Sequence, residues 1–291
     1  MTTIPDTRTT VPASRWVEKV LRWGAIALVV LFSLAPVLWE LLTSIKTNAA
    51  ITADPLIYFP HWGQYTLKHY VDLVVQNHFY RYVFSSAVVA IASTILCLGI
   101  GSPAAYALAR LKLPHENILL SIVLVITLFP YILLFLGLLD IVRAVGLADN
   151  YLALIIPYTA INLPLTILVM RSFFQQLPKD LEDSAKVDGY STLQMLWHII
   201  FPMTLPALVT TGILAFIFAW NEYIFALTFI TREEMKTIPV AAAQLAGTTS
   251  FDIPYGPLAA ATVVGTFPLV LLVLFFQRKI VQGLTAGSVK G

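Results

Sequence analysis

The chain has 291 residues, 58% of them hydrophobic and 12% charged, with a formal net charge of +2 and a mean hydropathy of +0.81. A soluble domain carries about 25% charged residues, so the composition excludes a soluble globular protein and points to a polytopic helical membrane protein. The small net charge and the lack of a basic block exclude nucleic-acid binding, and the single cysteine, Cys97, inside an apolar run, fits neither an internal disulfide nor a zinc site.

A spanning helix needs about 20 mostly apolar residues. The first candidate covers residues 23–45, after a polar tail of residues 1–22. Its apolar core is too long for a signal peptide and no small-residue cleavage site follows, so it reads as a retained span. Further spans fall at 83–109, 118–141, 152–173, 205–230 and 258–280, followed by a tail of residues 281–291. The expected fold is an all-α integral membrane protein with six transmembrane helices in one domain, 23–280. An even number of spans puts both termini on one side. Of the 18 Lys and Arg residues, six (Lys46, Lys68, Arg81, Arg143, Arg232 and Lys236) fall on the other side, and this two-to-one bias places the termini in the cytoplasm.

Two outer segments stand out. Between residues 64 and 82, Leu67, Tyr70, Leu73, Val74 and Tyr80 recur at near-helical spacing, which predicts a short helix at the outer interface. Residues 231–257 carry Pro239, Gly247, Pro254, Gly256 and Pro257 and read as a long outer loop. Pro157, Pro164, Pro202, Pro206 and Pro268 lie within or beside spans as ordinary kinks.

The most informative segment is polar and lies between the fourth and fifth spans, at 177–206. Pro178 suits a first helical turn, and Asp180, Glu182 and Asp183 suit the positive end of that helix. Asp188-Gly189 stops it, because glycine accepts a left-handed cap. Ser191 and Gln194 form a capping box for a second helix. Leu193, Leu196, Trp197 and Ile200 then make one apolar face. The first helix carries the small residues Ser184 and Ala185 beside Lys186, which allow close approach by another surface. On these features alone the hairpin is either a docking element for a soluble partner or a solvated connector.

Asp183-Ser184-Ala185, two residues, Asp188-Gly189, then Ile199 and Pro202, resembles the EAA motif of ABC importer permeases. Asp183 and Ser184 stand where Glu and Ala are usual, so a direct ionic contact from Asp183 is shorter in reach. The C-terminal run from Gln277 through Gly283, Leu284, Thr285, Gly287 and Lys290 to Gly291 is similar to the tail of MalG-type permeases of carbohydrate importers. The resemblance implies a MetI-like, type I importer fold in the bacterial or archaeal inner membrane. It implies that the hairpin is a coupling helix in a cleft of an ATP-hydrolysing subunit, contacted through Asp183, Ser184, Ala185, Lys186, Asp188 and Gly189. The tail would reach between two such subunits. The partners implied are a homologous companion permease, two ATP-binding subunits, an external solute-binding protein, a sugar and membrane lipid. The outer loop tip, Gly247, Thr248 and Thr249, would face the binding protein.

No phosphate loop of the form G-x-x-x-x-G-K-[ST] is present, so ATP and Mg would be held by a partner and this chain would carry no cofactor and no catalytic residue. H-E-x-x-H and G-x-S-x-G are absent too, and His61, His69, His78, His115 and His198 are scattered, so no metal site is expected. Trp220, Asn221 and Glu222 in the outer half of the fifth span are either a polar and aromatic patch on a sugar path or interhelical contacts with the companion permease. Glu40 reads as an interface residue, and Asn162 as a partner for backbone freed by Pro164. A self-sufficient secondary transporter or channel is the rival class. Paired intramembrane carboxylates and inverted repeats would favour it, and neither is visible.

Overall fold

The computed structural model describes residues 12–246 and 254–286, with the side chains of 16–246 and 254–280. Among the described residues its regular secondary structure is all helical, apart from one antiparallel bridge between Lys46 and Tyr65. Four helices are long and apolar enough to cross a membrane, and two bent helix pairs raise the number to six.

The long helices are α1 (Pro12–Ser44), α4 (Tyr80–Arg110), α7 (Leu152–Gln176) and α14 (Tyr255–Ala286). Short α2 (Asn48–Ile51) and α3 (Lys68–Val75) lie between α1 and α4. The helix that carries the first expected span therefore begins well before Trp23, within the polar tail, and the last helix runs past Ile280. The interface helix is shorter than its periodicity indicated. His78 adopts a positive φ of 49° and separates α3 from α4, so Tyr80 opens a new helix.

The expected span at 118–141 is broken. α5 (Glu116–Leu128) and the stretch from Tyr131 through α6 (Phe135–Ala144) meet at 87°. Pro130 lacks the N–H that would continue α5, and it forces Phe129 into an extended conformation. The expected span at 205–230 is divided differently. The second hairpin helix, Thr192–Met203, meets α11 (Leu205–Asn221) at 82°, and α12 (Ile224–Phe229) is a separate piece. The expected loop at 231–257 is also partly helical. A 3-10 turn at Glu233–Met235 leads into α13 (Ile238–Leu245), whose Val240 and Ala241 are buried.

α4 and α7 form the central pair. The buried face of α4 is Ser86, Val89, Ala90, Ser93, Cys97, Gly101, Ala105 and Leu108, and that of α7 is Tyr158, Asn162, Thr166, Met170 and Phe174. Apart from the adjacent Val89 and Ala90, both stripes step by three or four residues, the spacing of one helix face. Small residues on α4 let the backbones approach, as membrane helices without a hydrophobic driving force require. A Cβ built on Gly101 would sit 2.7 Å from Thr166 Cγ2. Gly101→Leu is expected to destabilise the chain by ~1–3 kcal/mol through overpacking, read as a lower thermal unfolding midpoint in detergent. An unchanged midpoint would show that the pair can spread.

Two buried clusters flank this pair. One, around Leu73, Phe79, Tyr158, Trp220 and Phe225, joins α3, α4, α7, α11 and α12. The other, around Tyr106, Phe174, Ala185, Met195 and Ile200, seats the polar hairpin on the far ends of α4 and α7.

Candidate functional site

The hairpin consists of α8 (Lys179–Val187), α9 (Thr192–Met195), a π turn at Leu196–Ile200 and α10 (Phe201–Met203). Asp180 and Glu182 lie in the first turn of α8, where the helix end is positive. At its other end Gly189 has a φ of +84°. The Gly189 N–H donates to Lys186 O at 3.1 Å, and the Tyr190 N–H donates to Ala185 O at 3.0 Å. That double bond pattern is a Schellman motif, which satisfies the terminal carbonyls of α8. The Ser191–Gln194 capping box then starts α9. A tight, fully bonded corner joins the two helices.

One face of α8 looks inward. Ala185 is 2% exposed and packs in the cluster with Tyr106, Phe174 and Ile200. Ala185 is thus a packing residue, not part of an open docking face. Glu182, three residues earlier on the same face, meets Arg110 at the end of α4, with Nε to Oε1 at 2.9 Å. Their side chains are 6% and 10% exposed. This close contact is out of line for a hydrogen bond, so it acts as an ion pair. The Arg110 guanidinium also donates to Leu177 O, where α7 ends. Nearby, Arg171 of α7 donates to Leu108 O at 3.1 Å and to Glu116 at 2.9 Å. Arginine therefore fastens the hairpin to α4 and α7, and α7 to the start of α5. From the sequence, Glu182 counts only as an acidic group at the positive helix end and Arg110 only as a cytoplasmic charge, and nothing there pairs them. The available signal was the three-residue spacing of Glu182 and Ala185, which marks an inward face.

The other face is open. Asp183, Ser184, Lys186, Asp188 and Gly189 are exposed. The Lys186–Asp183 pair at 3.6 Å is solvated and adds little stability. Beside these polar groups stand Val187 and Leu193, 88% and 70% exposed, with Tyr190 and Trp197. The expected apolar face of the second helix is thereby split. Leu196 and Ile200 are buried with Met195, whereas Leu193 and Trp197 point outward. The π turn inserts a wider winding at Leu196–Ile200, which shifts the phase on which a regular 3.6-residue face depends.

The fifth-span residues are held within the chain. Trp220 is buried, donates from Nε1 to Gly265 O at 3.0 Å and stacks on Phe216. Glu222 is buried beyond the end of α11. It accepts from the N–H groups of Phe225 at 2.9 Å and Ala226 at 3.1 Å, and from the Tyr158 hydroxyl. It is the cap of α12. Asn221 is exposed, with its side-chain amide on Ile217 O at 2.8 Å. The trio thus forms no common open patch in this chain, and its contacts run to α14, α7 and α12 instead of outward. Asn162 donates to Tyr158 O at 2.8 Å; the carbonyl that Pro164 leaves without its N–H donor is that of Ala160.

Gly247, Thr248 and Thr249 lie outside the described residues, as do Gly287 and Lys290. Gly283, Leu284 and Thr285 belong to the final turns of α14, with side chains outside the description. Among the described residues no group of three or more His, Cys, Asp or Glu side chains could hold a metal ion.

At the opposite end of the bundle from the hairpin, Asp149 links the α6–α7 turn to the segment after α12. It accepts from the Thr231 hydroxyl at 2.7 Å, the Arg232 N–H at 2.9 Å and the Thr231 N–H. The Thr231 hydroxyl, then the two N–H groups, hold its carboxyl below the ordinary value of 3.8. A depressed carboxylate stabilises the fold above its unfolded pKa, and that contribution is lost as pH falls through the folded value. Asp149→Asn is therefore expected to lower the unfolding midpoint at pH 7 and to approach wild type only as pH falls through the folded pKa, below the ordinary 3.8. A constant offset across that range would show that the carboxylate charge is irrelevant.

The family described as "Binding-protein-dependent transport system inner membrane component" matches residues 98–286. The chain is 38% identical to the sulfoquinovosyl glycerol transport system permease protein SmoH of Agrobacterium fabrum, over 94% of each chain. It is 39% identical to the trehalose transport system permease protein SugB of Mycobacterium tuberculosis, over 92% of this chain and 97% of that one. It is 38% identical to the trehalose/maltose transport system permease protein MalG of Thermococcus litoralis, over 92% and 95%. Among solved structures, a chain of a bacterial ABC transporter involved in the import of the acidic polysaccharide alginate superposes with a TM-score of 0.78 at 22% identity, covering 95% of this chain and 99% of that one.

Proposed function

We propose a function that proceeds from one premise: the chain belongs to the family of binding-protein-dependent transport system inner membrane components. It is a multi-pass membrane permease and not itself a catalytic enzyme. We read it as the permease of an ATP-driven importer of a sugar or glycoside. Relatives named for trehalose, maltose and sulfoquinovosyl glycerol transport, at 38–39% identity over nearly the whole chain, support that substrate class.

The observation that carries the mechanism is the hairpin bolted to α4 and α7 at Arg110–Glu182, with Asp183, Ser184, Lys186, Asp188 and Gly189 on its open face. In this reading that face seats in a cleft of an ATP-binding subunit, which holds the ATP and Mg. Two such subunits close on ATP, and each carries a permease hairpin with it. The buried ion pair and the apolar cluster pass the displacement to α4 and α7 without slack. The bends at Phe129–Pro130 and Thr204 absorb the change in shape, and the pathway between this chain and a companion permease reopens to the other side. ATP shifts the balance only to the extent that it binds the two states with different affinity.

The hairpin and both termini then lie in the cytoplasm. The tail, with Gly283, Leu284, Thr285, Gly287 and Lys290, extends toward the ATP-binding subunits. The outer segment with Gly247, Thr248 and Thr249 faces the solute-binding protein. Proteoliposomes holding the complete importer, with binding protein and sugar outside, test this reading. Uptake should require ATP inside and persist when a protonophore is added at fixed ATP. Uptake without ATP, or its loss on uncoupling, would reject an ATP-driven permease in favour of a secondary transporter.

A further inference from the structure

Lys46 is the first charged residue after α1, and it is 2% exposed. Its ammonium donates to one neutral acceptor, Ile57 O at 2.9 Å, and lies 4.5 Å from the centre of the Trp39 ring. No carboxylate among the described residues is within ion-pair distance of it. Burial lowers its pKa from the ordinary lysine range. A shielded ammonium with two unused donors is stable when an anion completes its shell.

The space in front of Lys46 has a definite shape. A cavity of about 320 Å³ is lined by Lys46, Trp39, Thr43, Thr52, Leu56 and Tyr255. Its hydroxyls can donate to an anion, and its aromatic rings with Tyr58 form the belt typical of a membrane–water interface. Along the same two helices lies a groove of about 340 Å³ between α1 and α14, lined by Pro36, Val37, Leu41, Val263, Phe267 and Val270. Thr262, two turns along α14 from Tyr255, lies in the groove wall, about 10 Å deeper at 1.5 Å per residue. Glu40 and Thr266 share that wall. Glu40 is exposed and has no ion-pair partner among the described residues.

We propose that the Lys46 cavity and the α1–α14 groove form one binding site for a membrane phospholipid, with its phosphate on Lys46 and an acyl chain in the groove. The apolar groove separates this ligand from free phosphate, which has nothing to place there. Glu40 sets the headgroup preference. Its carboxylate lines the groove six residues before Lys46, about 9 Å of rise away, close enough to repel a net-negative headgroup and attract an amine, so phosphatidylethanolamine is favoured over phosphatidylglycerol. The site sits where α1 leaves the bundle and α14 enters it, so the lipid would join the two outermost helices at the end opposite the hairpin. It is independent of the sugar-import reading.

Native mass spectrometry of the complete detergent-purified importer, delipidated and then given phosphatidylethanolamine, phosphatidylglycerol or inorganic phosphate, tests the site. Wild type should retain one phosphatidylethanolamine per copy of this chain, more tightly than phosphatidylglycerol. Lys46→Met should weaken retention at least about tenfold, equivalent to ~1.4 kcal/mol. Because Lys46 also holds Ile57, a second variant, Thr266→Trp, fills the groove and leaves Lys46 in place; it should cause the same loss in an assembled complex. Glu40→Gln should reduce the preference for the amine headgroup. Unchanged retention in both Lys46→Met and Thr266→Trp would overturn the site, as would equal protection by inorganic phosphate alone. A cross-link showing a companion-permease carboxylate or Asp252 of this chain at Lys46 would overturn it as well.

Discussion

Gly189→Val is expected to abolish sugar uptake while the importer still assembles. The residue sits at a φ of +84°, where a β-branched side chain is strained. The cost is ~1–3 kcal/mol if the turn is kept, and relief requires breaking the two bonds that close α8 onto Ala185 and Lys186. No atom lies within 4 Å of a Cβ built at this position, so the effect comes from the backbone and not from a clash inside the chain. Asparagine tolerates the left-handed region far better than valine. Gly189→Asn should therefore keep most of the uptake that Gly189→Val loses. Uptake and subunit stoichiometry measured side by side decide the matter. Normal transport by an intact Gly189→Val complex would mean that the corner need not be rigid, and the lever would be abandoned.

Arg110→Met should have the second large effect, and of a different kind. It leaves Glu182 nearly buried with no counter-charge, which costs ~3–5 kcal/mol when one partner of a buried pair is removed. The α8 end of the hairpin then loosens from α4. ATP hydrolysis should continue in the assembled importer, but uptake per ATP should fall steeply. The double variant Arg110→Met with Glu182→Gln removes the stranded charge and should recover most of the stability, because a neutral replacement of a buried pair is often tolerated. A thermal-unfolding mutant cycle would show the coupling directly. If the two single changes add with no interaction, the pair is not the fastening and the apolar cluster carries the load alone.

The hairpin corner was legible because its signals are local. Asp188-Gly189 and the Ser191–Gln194 box each specify backbone geometry within four residues. The membrane class was legible from hydropathy. The breaks were not, because residues 118–141 are mostly apolar, with one charge at Asp140 near their end, and hydropathy reports burial in lipid, not direction. Pro130 carried the signal, but proline is tolerated in many unbroken spans. The merged fifth span failed for a similar reason: Asn221-Glu222 interrupts the apolar run for only two residues, although Glu222 ends one helix and caps the next. Arg110 with Glu182 is a tertiary fact, since the two are far apart in sequence and only the packing of α8 brings them together. Trp220 shows the converse, a residue whose type suits a sugar path but whose indole N–H is committed to Gly265.

The break at Pro130 also constrains how the protein is made. α5 has 13 residues, about 20 Å of helix, against roughly 30 Å of hydrocarbon. None of its residues is buried by the rest of the chain, and the main surface it touches is α7. During synthesis α5 leaves the ribosome before α7 exists. For that interval it is an apolar rod about two thirds of the needed length, with a bent continuation and no α7 to pack against. Membrane insertion of this third segment must therefore be completed by sequence that arrives later, so the order of integration need not follow the order of translation.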